Sequence, residues 1–142
     1  MPFSLSDDDK QRLVAAIAAA ETGSRGELRL HLDKASPEDA LRRAEQLFHQ
    51  LGMSQTRDGT GVLLYVAPIA RKVAVYAGPG IHQTAGQALW QSAVRTVADG
   101  FRNDDPLSGL ESAIHTIGEA LRRCAPGEDA AGNELSNEVT IS

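Results

Sequence analysis

Residues Asp58–Ile81 read DGTGVLLYVAPIARKVAVYAGPGI and hold two apolar runs, Val62–Ala67 and Val73–Ala77. Neither run alternates cleanly between apolar and polar. Short, β-branched, near-continuous apolar runs suit strands covered on both faces. The five residues between them, Pro68-Ile69-Ala70-Arg71-Lys72, are too few for a crossover helix, so an antiparallel hairpin is expected. Gly59 and Gly61 precede the pair, and Gly78 and Gly80 follow it. A hairpin covered on both faces would be the centre of the sheet.

Upstream, Glu27-Leu28-Arg29-Leu30-His31-Leu32-Asp33 alternates strictly, as a half-buried strand does. Leu28, Leu30 and Leu32 take the core face. Glu27, Arg29, His31 and Asp33 share the other, which is expected to be wet or lightly covered and to place this strand towards an edge. Between this strand and the hairpin, Ser36-Pro37-Glu38-Asp39 reads as a helix start with Ser36 as cap and Pro37 at the first helical position. Ala40, Leu41, Ala44, Leu47, Phe48 and Leu51 form the helix's apolar side, and Gly52 ends it. Strand, helix, strand makes a βαβ unit with parallel strands.

Further helices flank these strands. Ser6 followed by Asp7, Asp8 and Asp9 is a capped, acidic helix start, and Leu13, Val14, Ile17 and Ala20 continue it. A third helix is expected from about His82 to Asp99, with Trp90 and Phe101 as core anchors. Asn103-Asp104-Asp105-Pro106 is a turn and a new start. The spacing of Leu107, Leu110, Ile114, Ile117 and Leu121 predicts a fourth helix, closed by Pro126 and Gly127. The fold class is therefore α/β: a small mixed sheet, a βαβ unit plus an antiparallel hairpin, and about four helices. Residues 1–126 form one domain. Residues 127–142 form an acidic tail, expected to dock in part through Leu135 and Val139-Thr140-Ile141.

The chain has 142 residues, 42% hydrophobic and 23% charged, which is ordinary for a globular domain. Aromatics are only 4%, so Ala, Val, Leu and Ile must fill the core. Of the net charge of −5, four charges (Glu128, Asp129, Glu134 and Glu138) fall in the tail. The body is nearly neutral and offers no basic face for nucleic acid. Cys124 is the only cysteine, so no internal disulfide is possible. MPFSLSDDDK has no basic segment followed by an apolar run, and no stretch approaches membrane-spanning length. A cytoplasmic location without membrane insertion is the expectation.

Strong catalytic and metal motifs are absent: there is no paired-cysteine motif, HExxH, phosphate loop or GxSxG elbow. Gly78-Pro79-Gly80 lacks the third glycine and the Lys-Ser/Thr pair of a phosphate loop. Asp58-Gly59-Thr60-Gly61 lacks the later glutamate of a calcium loop. His31, His49, His82 and His115 are scattered, against a histidine-based zinc site. The topology nonetheless gathers some acids. Glu27 and Asp58 open two parallel strands on one edge, called here the near edge, where the glycines at 78 and 80 also fall. Two carboxylates beside a glycine turn suit a hard cation or a phosphate. Asp104 and Asp105 join them only if the third helix is short or oblique; a straight one carries them to the far edge.

Several stretches, in this order and spacing, are shared with one family. They are GELRLHL (26–32), AEQLFHQLGM (44–53), DGTGVLLYVA (58–67), RKVAVYAGPGI (71–81) and FRNDDPLSGL (101–110). The chain resembles the TPM domain family, found in thylakoid-lumen photosystem-repair proteins, receptor-accessory proteins and many bacterial proteins. GIHQTAGQALW (80–90) and NELSNEV (133–139) resemble its smaller soluble bacterial branch. The resemblance implies an α/β/α sandwich, binding of Ca²⁺ or Mg²⁺, and in some members acid phosphatase activity. By motif position the implied metal residues are Glu27, Asp58 and Asp105, with Asp104 beside it. The chain departs from the pattern at Gln83-Thr84-Ala85, where many members carry Thr-Asp after the glycine turn. The reading is a non-enzymatic domain that binds a divalent cation weakly and works through a protein partner. The alternatives are a metal-assisted phosphatase and an interaction domain that binds no ion.

Overall fold

The computed structural model describes residues 5–55, 59–127 and 139–141. In chain order its elements are α1 (Asp7–Glu21), β1 (Glu27–Leu32), α2 (Ala40–Gln50), β2 (Gly61–Ala67), β3 (Lys72–Ala77), α3 (His82–Ala85), α4 (Gln87–Arg102), α5 (Pro106–Cys124) and β4 (Thr140–Ile141). The strands form one mixed sheet in the order β3-β2-β1-β4. β1 and β2 are parallel, with Glu27 opposite Gly61 and Leu32 opposite Val66. β2 and β3 form the antiparallel hairpin, Val62 opposite Ala77 and Ala67 opposite Lys72. The turn between them closes with Arg71 N–H donating to the Pro68 carbonyl at 3.2 Å.

Side chains alternate across the sheet and divide the core in two. Leu28, Leu30 and Leu32 join Val62, Leu64 and Val66 against α1, α4 and α5. Leu63, Tyr65, Ala67 and Ala74 pack with Ala44, Leu47, Phe48 and Met53 on the α2 side. The result is an α/β/α sandwich built on a four-stranded sheet.

The hairpin is not the sheet's centre. β2 is buried along its whole length, but β3 is the outer strand and most of its residues are only half-buried. The apolar run in β3 meets helices on its two faces, yet nothing described pairs with its outer rim. β1 corrects the expectation in the opposite sense. It lies inside the sheet, between β2 and β4, and its polar face is buried: Glu27 is 2% exposed, Arg29 8%, His31 3% and Asp33 2%. Alternation reports which face is polar, and a polar face can be buried when its groups find partners.

Two helix boundaries also differ from the sequence reading. Asp39, not Ser36, caps α2: its side chain accepts from the Arg42 N–H, and the helix starts at Ala40. The expected third helix is two helices. Gly86, at φ +90°, breaks it into the single turn α3 and the long α4, making five α-helices among the described residues where about four were expected. The apolar periodicity runs through Gly86 undisturbed, so only glycine's access to positive φ marks the break. At the start of α1, Ser6 and Asp9 form a reciprocal capping box, which gives the aspartate run a local structural role. Of the acidic tail, Thr140 and Ile141 are described and pair with β1 in parallel. Leu135 and the tail's four acids lie outside the described residues.

Candidate functional site

The near edge of the sheet is built by close backbone approach. Gly80 N–H donates to the Gly59 carbonyl and Gly78 N–H to the Gly61 carbonyl, each at 2.8 Å. A Cβ on Gly78 would stand 2.5 Å from the Gly59 carbonyl oxygen, so the contact demands glycine there. Glu27 lies beside this ladder, its N–H donating to the Thr60 carbonyl at 3.2 Å. The glycines therefore do gather at the near edge with Glu27. Asp58 lies outside the described residues.

Asp104 and Asp105 sit elsewhere. The last turn of α5 abuts the entrance to β1. Ser24 Oγ donates to the carbonyls of Leu121 and Ala125 at 2.9 and 2.7 Å, and Arg123 reaches the Ala85 carbonyl in α3. Asp105 is the N-cap at the other end of this helix of 19 residues, about 28 Å away at 1.5 Å per residue. Glu27 and the Asp104-Asp105 pair are thus two separate acidic places. Both aspartates are exposed; Asp105 accepts from Ser108 N–H at 3.4 Å, and Asp104 takes a positive φ of 59°. The cap reading accounts for Asp105 locally.

The polar face of β1 is a network centred on Asp33. One carboxylate oxygen accepts from Tyr65 Oη at 2.6 Å and from Arg43 Nε at 3.3 Å; the other accepts from Ala35 N–H at 2.9 Å. The His31 ring lies parallel to that of Tyr65, with centroids 6.3 Å apart. His31 Nδ1 is 2.6 Å from Thr140 Oγ1, joining β1 to β4 through side chains as well as backbone. Burial lowers the His31 pKa; Asp33 opposes that shift, and Arg43 and Arg29 add to it. Burial, reinforced by the hydrogen bond to Asp33, raises that of Tyr65 well above its usual range. A neutral imidazole and a protonated phenol thus lie around a carboxylate whose two oxygens both accept hydrogen bonds. The tertiary partners of Asp33, from β2 and α2, were not visible in the alternation that singled this face out.

A groove of about 420 Å³ runs along β3. Val73 and Val75 form its floor, Leu41 of α2 stands on one side, and Trp90, Val94 and Arg95 of α4 on the other. Leu41, at the side of the groove, is 54% exposed. No helix among the described residues is long and apolar enough to cross a membrane.

Comparison with known proteins agrees with this architecture. A family model described as the TPM domain matches residues 4–120. The solution structure of the BA42 protein from the psychrophilic bacterium Bizionia argentinensis superimposes with a TM-score of 0.88 at 30% identity, covering 100% of this chain and 98% of that one. The N-terminal domain of a P. gingivalis protein gives a TM-score of 0.70 at 18% identity, over 82% of this chain and 76% of that one. The N-terminal domain of the cg2496 protein from Corynebacterium glutamicum gives 0.63 at 14% identity, over 93% and 80%. These last two share the fold. No curated protein matches the chain.

Proposed function

The chain belongs to the TPM domain family, and on that premise we propose that it is a non-enzymatic, cytoplasmic domain that works through a protein partner and binds Ca²⁺ or Mg²⁺ weakly. The observation that carries the partner half is the open rim of β3 with its apolar groove. An outer strand carrying unpaired backbone groups is a template for association, and proteins that remain soluble normally cover or charge it.

The cation half rests on the family and on oxygen donors in two places. At the near edge the candidate donors are Glu27, Asp58 and loop carbonyls; at the other end of α5 they are Asp104 and Asp105. Calcium takes about six to eight oxygens. Among the described residues, no three His, Cys, Asp or Glu side chains converge on one point. Each place offers few carboxylates, which suits weak binding.

Titration with CaCl₂ or MgCl₂, followed by amide NMR, tests this. Localised shifts at one acidic place are expected. Their loss in Glu27→Gln with Asp58→Asn assigns the near edge; their loss in Asp104→Asn with Asp105→Asn assigns the α4–α5 turn. Absence of any cation-dependent shift in the unmutated protein removes the cation half and leaves an interaction domain. Turnover of a phosphate ester by the cation-loaded protein would replace the whole reading with that of a metal-assisted phosphatase.

A further inference from the structure

The hairpin register determines which backbone groups of β3 point away from the sheet. Gly78 and Gly80 bond inward to Gly61 and Gly59, and the same register runs on through Tyr76 opposite Leu63 and Ala74 opposite Tyr65. In an antiparallel ladder, hydrogen-bonded and non-hydrogen-bonded pairs alternate. Tyr76, Ala74 and Lys72 therefore bond inward, and the N–H and C=O groups of Val73 and Val75 point outward along the open rim. Their side chains lie on the α4 side of the sheet, in the floor of the groove.

We propose that this rim takes an extended, acidic segment of a partner protein as a fifth strand, the outward backbone groups of Val73 and Val75 pairing with it and Arg95 meeting one of its carboxylates. The proposal rests on the partner half of the functional reading and specifies the mode. Three observations select this occupant. A strand satisfies outward backbone groups, which a helix does not. The groove holds a few side chains at most, and Val73, Val75, Trp90 and Val94 give it an apolar lining that suits apolar residues of an extended chain. Arg95 is exposed and forms no ion pair among the described residues, which leaves its charge available. The fold already uses strand addition at its opposite rim, where Thr140 and Ile141 extend the sheet beside β1.

The probe is a capped hexapeptide alternating valine and glutamate, with a valine–lysine peptide of the same length as control, each titrated into the full chain. The valine–glutamate peptide is expected to shift the amides of Val73 and Val75 and the Trp90 indole, and to slow hydrogen exchange at those two amides. Val75→Pro removes an outward N–H, a position where an outer strand tolerates proline, and should abolish binding while the spectrum stays dispersed. Arg95→Glu, which leaves the rim intact, should weaken the valine–glutamate peptide about fivefold or more and favour the valine–lysine one. The proposal is overturned if the valine–glutamate peptide leaves Val73 and Val75 unmoved at millimolar concentration. It is also overturned if Val75→Pro and Arg95→Glu both bind like the unmutated chain. Dimerisation through β3 in sedimentation, lost in Val75→Pro, would replace the partner with a second copy. A cation response without a peptide response would leave the cation half standing and remove only this inference.

Discussion

At the residue scale, the buried face of β1 makes the sharpest predictions. Tyr65→Phe removes the 2.6 Å bond to Asp33 without changing the ring's packing. Bonds to a charged acceptor contribute about 1.5–3 kcal/mol, so the urea midpoint should fall by a corresponding amount with the fold retained. His31 gives a pH dependence whose sign follows from its lowered pKa. The unfolded chain takes up the proton first as the pH falls, so the stability contributed by neutral His31 is complete above about pH 6.5 and is lost below it. Denaturation midpoints measured from pH 7.5 to 5.5 should decline, and His31→Gln should flatten that decline. At the near edge, Gly78→Ala drives a methyl group into the Gly59 carbonyl, 2.5 Å from the ideal Cβ. Overpacking of this kind costs about 1–3 kcal/mol, readable as a lowered thermal midpoint.

At the element scale, the start of α2 separates two candidate caps. Asp39 accepts the Arg42 N–H, while the helix does not reach back to Ser36. Asp39→Ala should cost about 1 kcal/mol and Ser36→Ala less than about 0.5 kcal/mol, compared by chemical denaturation. The α3–α4 break shows a different limit of local reading. Apolar spacing continues across Gly86, and Trp90 Nε1–H reaches back to the His82 carbonyl at 3.3 Å to tie the two pieces together. A glycine inside a helical pattern is compatible with either a continuous helix or a break, and only the packed conformation chooses.

At the scale of the whole molecule, the sheet is asymmetric. β2 is covered on both faces and paired on both sides, whereas among the described residues β3 pairs on one side only. Native-state hydrogen exchange should therefore be slowest through β2. Along β3 it should alternate, with Val73 and Val75 fast and Ala74 and Tyr76 slow. Uniform protection along β3 would mean that the rim is already paired, and the open-edge reading would be lost.

The linear sequence by itself determined the elements whose signals are local: the capped start of α1, the βαβ unit, the tight hairpin, and the Asp105-Pro106 start of α5. Hydrophobic period and cap chemistry act over a few residues, so they can be read without the fold. It also brought Glu27 and the glycine turn to one sheet edge, because strand direction follows from connection length. Only the tertiary structure decided which strands lie inside the sheet. Thr140 and Ile141 follow β1 by more than a hundred residues, and their pairing moves β1 from the rim to the interior. Tyr65 and Arg43 come from other elements to satisfy Asp33, which lets an alternating polar face be buried. The length and direction of α5 place Asp105 away from Glu27. Each of these outcomes depends on contacts between residues distant in sequence, and neither spacing nor composition carries that information.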